Sequence, residues 1–242
     1  MKPVWRHIIG IGAIILAASG LVVLTTAAGR AHRIPDCHDL EVHFADEYRF
    51  VDEDEVRKLV FEGYGNYIGV KADRIGLAGV EKVLNSRSSV SSSEAWVTDD
   101  GILHIKIWQR VPVVLLRNGE NGCYVDKDAF TFPMTGGYKA DVPQIDGEWP
   151  EDEAWLRDIV EMIRIKGAST LEAARIDSMT TRGGEIFLHP SSGRETFLFG
   201  KPVQVESKLA RMQAYYDHIV AGADSTAYTK VNLKYKGQII CR

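Results

Sequence analysis

From Ile8 to Ala28 the chain reads IIGIGAIILAASGLVVLTTAA, twenty-one residues without a charged side chain and with polar groups only at Ser19, Thr25 and Thr26. An apolar run of this length has few folds open to it. At about 1.5 Å of rise per residue it makes a helix about 30 Å long, the depth of a bilayer's hydrocarbon core, and a helix bonds its own backbone groups. A helix in the core of a water-soluble domain is shorter and two-faced. The competing expectation is a cleaved secretory signal, whose apolar region runs about 7 to 15 residues and ends at small residues such as Thr25 and Ala27. The length of the run favours a retained anchor. Lys2 and Arg6 precede it and Arg30 and Arg33 follow it, so the basic residues leave its orientation nearly balanced. A short tail, residues 1–7, is easily held in the cytoplasm, which places residues 29–242 on the far side of the membrane.

The four basic residues of positions 1–34 have no acidic counterparts there, so residues 35–242 hold 25 basic against 33 acidic side chains. That balance excludes the basic footprint of a nucleic-acid-binding domain. Cys37, Cys123 and Cys241 are odd in number and far apart, which excludes a complete disulfide framework and any C-x-x-C site. One bridge, such as Cys123 to Cys241, stays open beside the reading of Cys123 as a small buried hydrophobe.

A polar linker, residues 29–37, leads into alternation at Leu40, Val42 and Phe44, a first strand. Asp52 stands at a helix N-cap, with Glu55 three residues on and Val51 and Val56 placed as a hydrophobic staple. Asp73 is expected to cap a second helix with Leu77, Val80, Val83 and Leu84 on one side. Ser86 to Ser93 reads as a loop entering a strand at Glu94 to Thr98. Asp99-Asp100-Gly101 then turns the chain into the alternating strand Leu103 to Trp108. Residues 38–110 are therefore a strand-helix-helix-strand-strand unit whose two helices cover one sheet face. Beyond Pro112, strands are expected at Val113 to Leu116, Cys123 to Asp126, Phe130 to Pro133 and Val142 to Ile145, then a helix from Glu151 to Gly167. Strands at Arg175 to Met179, Glu185 to His189 and Thr196 to Phe199 follow. The helix Val203 to Val220 has the stripe Val205, Leu209, Met212, Tyr216 and Ile219, and the chain closes with a strand, Lys230 to Lys236, and a short continuation. The expected fold class is α+β: one transmembrane helix at residues 8–28, the small unit, and a β-rich domain at residues 111–242 with an antiparallel sheet and packed helices.

No G-x-S-x-G, H-E-x-x-H, Walker loop or strand-bound G-x-G-x-x-G occurs. Asp36-Cys37-His38 holds metal-ligand types too close together to face one ion, and no metal or cofactor site is expected. Asp126 and Asp128 fit a turn after a strand better than a glycosidase pair. His104, His189 and His218 fall on three separate elements. No enzyme and no small-molecule substrate are expected.

At Gln109-Arg110-Val111-Pro112, Tyr124-Val125-Asp126, Phe132-Pro133, Val142-Pro143-Gln144-Ile145-Asp146-Gly147 and Val231-Asn232-Leu233-Lys234-Tyr235, in this order behind one span, the chain resembles the FtsQ/DivIB bacterial cell-division family. The resemblance implies a POTRA domain for residues 38–110 and the family's β domain after it. It also implies a single-pass inner-membrane protein at the division site, binding the FtsB-FtsL pair outside the cytoplasm, with FtsK, FtsW and FtsI type proteins as further partners. The chain departs from the family at Ala129, where relatives commonly write glycine, and at Lys234, where they write arginine. Val231, Asn232, Leu233, Lys234, Tyr235 and Lys236 are the expected partner-binding residues, as an edge strand that accepts a partner strand. Two other classes compete. A POTRA-bearing outer-membrane assembly or secretion factor calls for POTRA repeats and a membrane barrel, and a periplasmic cell-wall hydrolase calls for a catalytic constellation; neither feature is found in the sequence.

The anchor is tested by mass spectrometry of the membrane-extracted protein. An intact amino terminus is expected; a mature chain that starts near Ala28 would make the apolar run a signal peptide.

Overall fold

The computed structural model describes residue 19 and residues 34–134, 137–166, 176–191, 194–221 and 228–242. The run Ile8 to Ala28 lies outside these described residues apart from Ser19. Among the described residues no helix is long and apolar enough to cross a membrane.

Alternating residues build the first sheet. Strands β1 (Asp39–Phe44), β2 (Val90–Val97) and β3 (Ile102–Gln109) pair in the order β1-β3-β2, with β1 parallel and β2 antiparallel to β3. Leu40, Leu103, Ile105 and Ile107 point to one face and are fully buried against helices α1 (Glu53–Gly63) and α2 (Leu77–Asn85). At α1 the expected cap forms, with the Asp52 carboxylate accepting from the Glu55 N–H at 2.8 Å, and Val51 and Val56 are both buried beside it. At α2 the expectation fails: Asp73 lies in a 3-10 turn, Ala72–Arg74, and the helix starts behind Gly76 with no side-chain cap. Serines 91–93 belong to β2 rather than to a loop, since the ladder to β3 begins at Val90.

A second sheet of nine strands follows: β4 (Pro112–Asn118), β5 (Asn121–Asp126), β6 (Thr131–Pro133), β7 (Gln144–Glu148), β8 (Ile176–Arg182), β9 (Glu185–Pro190), β10 (Thr196–Gly200), β11 (Lys230–Asn232) and β12 (Ile240–Cys241). Their order is β12-β11-β10-β9-β8-β7-β4-β5-β6. The sheet is mixed rather than antiparallel. The pairs β4·β7, β7·β8 and β10·β11 run parallel, because the chain crosses over between their members instead of turning back in a hairpin. Helices α3 (Glu153–Lys166) and α4 (Val205–Ala214) lie on one face and bury Trp155, Ile159, Met162, Val205, Leu209 and Met212 against it. A π-helical turn, Tyr215–Val220, continues α4 and adds Tyr215 to the expected stripe, whose Tyr216 and Ile219 also pack against the core. Tyr215 is the more deeply buried tyrosine, and Tyr215 and Tyr216 both pack on the Phe197 ring at 5.4 and 5.8 Å.

Gln109 joins the two sheets. Its N–H and its amide nitrogen donate to the two Asp46 oxygens, both at 2.9 Å, and the same nitrogen donates to the Tyr48 carbonyl. Its amide oxygen accepts from the N–H groups of Phe50 and Val51 at 2.8 and 3.1 Å. The loop so held pushes the Phe50 ring edge-on into Tyr124, Phe132 and Tyr138 of the second unit, at 5.1 to 5.2 Å. Next to it, Arg110 donates to the Ser88 carbonyl and to Asp126 Oδ2, and lies 3.8 Å from the Phe130 ring centre. Asp126 is buried and its other oxygen accepts from Asp128 and Phe130 N–H, so it is a turn and junction residue. In that turn Ala129 has φ of 62°, the left-handed region in which glycine costs nothing and alanine is strained by about 1 kcal/mol.

Replacing Gln109 by alanine removes the acceptor of two buried N–H groups and the side-chain donor to Asp46, which keeps its bonds to the backbone N–H groups of residue 109 and Tyr48. A loss of about 2 to 3 kcal/mol in denaturant unfolding is expected. A loss below about 0.5 kcal/mol would show that the amide does not hold the junction.

Candidate partner-binding site

The strand expected at Lys230 to Lys236 is shorter than its alternation suggested. The ladder spans Lys230–Asn232, the Asn232 carboxamide oxygen accepts the Lys234 N–H at 2.9 Å, and Gly237, at φ of 74°, reverses the chain. The returning β12 pairs antiparallel with β11, and Arg242 exchanges backbone bonds with Lys230 at 2.9 Å in both directions. Strand β11 is therefore an interior strand, between β10 and β12. Among the described residues the free edge belongs to Ile240–Cys241. Because Lys230 and Arg242 form the hydrogen-bonded pair, the Cys241 N–H and carbonyl face outward, away from β11.

The six expected residues separate by burial. Val231 and Leu233 are fully buried in the core that α3 and α4 cover, and Leu233 N–H still bonds the Leu198 carbonyl of β10. Lys234 folds back on its own molecule: its ammonium meets Glu185 Oε1 at 2.5 Å, which raises its pKa, and its stem lies across Gly200. A Cβ at Gly200 would come within 2.6 Å of Lys234 Cγ, so this crossing requires glycine. Tyr235 and Lys236 are exposed, and Tyr235 keeps 47% of its surface in water. Tyr235 does not cap the core. It lines a groove with Phe187, Leu198, Asn232, Ile240 and Arg242. Lys230, Lys236 and Arg242 are exposed around this corner, and residues 228–242 include no acidic side chain.

Phe187, Leu198 and Ile240 escaped the sequence reading. Their signal was present in Glu185-Ile186-Phe187-Leu188-His189, where apolar residues fall on both faces instead of alternating with polar ones. Ile186 and Leu188 are buried under the helices; Phe187 points to the opposite face. The bridge left open between Cys123 and Cys241 is excluded in one chain: they lie on β5 and β12, seven strand positions apart, or about 33 Å, and all three cysteines are free thiols. Among the described residues, Glu41, His43 and His104 form one group of metal-ligand types, on the first sheet. No metal site was expected from the sequence, because the two histidines are 61 residues apart and only the β1·β3 pairing brings them together.

Two family models match the chain. The family model described as FtsQ/DivIB, C-terminal related matches residues 111–242, and one described as a POTRA-like domain matches residues 35–108. No curated protein matches the chain.

Beneath the corner, Lys208 of α4 is buried, donates to the Lys201 carbonyl at 2.6 Å and sits 4.7 Å from the Phe199 ring centre. Burial, reinforced by Arg211 and Lys234, lowers its pKa to about 8. The unfolded chain keeps that proton to about pH 10.4, so between those values unfolding takes up a proton and stability rises with pH. Below about pH 8 both states are charged and the burial cost is fully present. Lys208→Met should therefore raise the urea midpoint at pH 7, and its advantage should shrink by about 2 kcal/mol as pH rises from about 8 to 10. Parallel pH profiles for the two proteins would exclude Lys208 as the titrating group.

Proposed function

Because the chain belongs to the FtsQ/DivIB C-terminal related family, we propose that it is a non-enzymatic scaffold of bacterial cell division, anchored in the inner membrane by residues 8–28 with its two folded units outside the cytoplasm. The observation that carries this reading is the free β12 edge beside the groove holding Tyr235, within the region that the family model matches. A partner segment adds a strand along Ile240–Cys241, where unpaired backbone groups supply affinity, and sets apolar side chains against Phe187, Leu198 and Tyr235. The exposed Lys230, Lys236 and Arg242 favour a segment with acidic flanks. On the family resemblance we read this segment as part of the FtsB-FtsL pair, with FtsK type proteins meeting the POTRA-like unit and the span, and FtsW and FtsI type proteins as further partners. Lys234, tied to Glu185, orders the corner and leaves recognition to its neighbours.

Tyr235→Ala should weaken an FtsB-derived peptide by about 2 kcal/mol, as loss of an aromatic anchor does, with little change in melting temperature because the ring is half exposed. Cys241→Pro, which removes the outward N–H donor, should weaken binding in the same titration. Wild-type affinity in both folded variants would overturn strand addition at this edge.

A further inference from the structure

The first sheet carries a second feature, on the face turned away from its helices. Glu41 and His104 are register partners on β1 and β3, and His43 lies two residues further along β1 on the same face. His43 Nε2 is 3.1 Å from His104 Nδ1, and Glu41 Oε2 is 3.4 Å from His104 Nδ1 and 3.8 Å from His43 Nε2. The in-plane point equidistant from these three atoms lies about 2.0 Å from each, and an ion raised above that plane, as tetrahedral coordination requires, sits about 2.1 Å from each, within the range zinc makes to imidazole nitrogen and carboxylate oxygen. Their mean separation, about 3.4 Å, is close to the ligand-to-ligand edge of a tetrahedral zinc site.

The surroundings fix the donor atom of His104 as well as the spacing; His43 Nε2–H hydrogen-bonds to it, and an ion would take the place of that proton. His104 Nε2 is 3.1 Å from Thr98 Oγ1, and that hydroxyl's other partners, the Asp100 carboxylate and the Ile102 carbonyl, both accept. Thr98 therefore gives its proton to one of them and accepts from His104 Nε2–H. His104 is left with a bare lone pair at Nδ1, directed at His43 and Glu41. Hydrogen bonds of this kind, which set the tautomer of a ligating histidine, are the outer support found behind metal-bound imidazoles. Trp96 on β2 stacks on His104 at 5.3 Å, and His104 stacks on His43 at 5.4 Å, with ring planes within 11° and 16°. Two imidazoles are thus aligned side by side, one of them largely covered, before any ion arrives.

We propose that Glu41, His43 and His104 bind a zinc ion that clips edge strand β1 to central strand β3. Two imidazoles and one carboxylate suit zinc over magnesium or calcium, which prefer all-oxygen shells. Three protein ligands leave the fourth position open to solvent, where water or a side chain of another protein completes the shell.

The test uses the full, untagged chain, extracted in detergent and stripped with EDTA, with cobalt(II) as the spectroscopic probe. One equivalent should give tetrahedral visible bands that zinc displaces. His43→Ala and His104→Ala should each lower affinity by about 100-fold or more, and Glu41→Gln and Thr98→Val by about tenfold, while His38→Ala leaves it unchanged. Glu41 and His43 are exposed, so their variants should retain the wild-type melting temperature in EDTA. Absence of the tetrahedral bands, or wild-type affinity in folded His43→Ala and Glu41→Gln proteins, would overturn the site.

Discussion

One carboxamide sets the arrangement of the two units. The Gln109 side chain is buried and forms hydrogen bonds through both of its polar atoms, to Asp46, Tyr48, Phe50 and Val51. A buried amide of this kind tolerates one loop conformation, since any other leaves N–H groups unpaired at a cost of about 1 to 3 kcal/mol each. The loop conformation in turn aims Phe50 at Tyr124 and Phe132, so a polar contact at the end of β3 decides an aromatic contact on the second sheet. Arg110, the next residue, ties the same junction to the buried Asp126. The tetrapeptide Gln109-Arg110-Val111-Pro112 therefore fixes an interface as well as marking a seam between sequence segments.

The outer face of the nine-stranded sheet shows what such covering achieves. At the β5 and β6 end, Phe50, Tyr138 and Ala140 close over Leu115, Tyr124 and Phe132. At the β11 and β12 end, Phe187 and Leu198 lie on the same side with nothing comparable above them among the described residues, and the last strand is two residues long. A mixed sheet with one apolar corner uncovered and a short free edge offers backbone and side-chain contacts together, the combination strand addition needs. Val231 and Leu233 are committed to the core, so in the proposed strand addition the contacts with a partner are left to the residues around them.

The strand-helix-helix-strand-strand order of the first unit, the Asp52 cap and most strands of the second unit could be read from periodicity and turn chemistry, because these depend on residues a few positions apart. The Asp73 cap was misread, as a good capping residue does not act where the chain forms a 3-10 turn first. The stripe of the last helix holds through Tyr216 and Ile219, but the burial of Tyr215 beside it was hidden, since a π-helical turn alters the period and leaves no mark on the apolar pattern.

By itself the sequence determined which segments are strands and helices, which of their faces are apolar, and through its ordered motifs a kinship with the FtsQ/DivIB family. Strand order was decided only in three dimensions. The parallel pairing of β1 with β3 placed Glu41 beside His104, and the return of β12 turned β11 from an edge into an interior strand. Both outcomes rest on hydrogen bonds between segments distant in the chain. The backbone groups that make those bonds are the same at every residue, so no local pattern of side chains specifies which strand will become the neighbour.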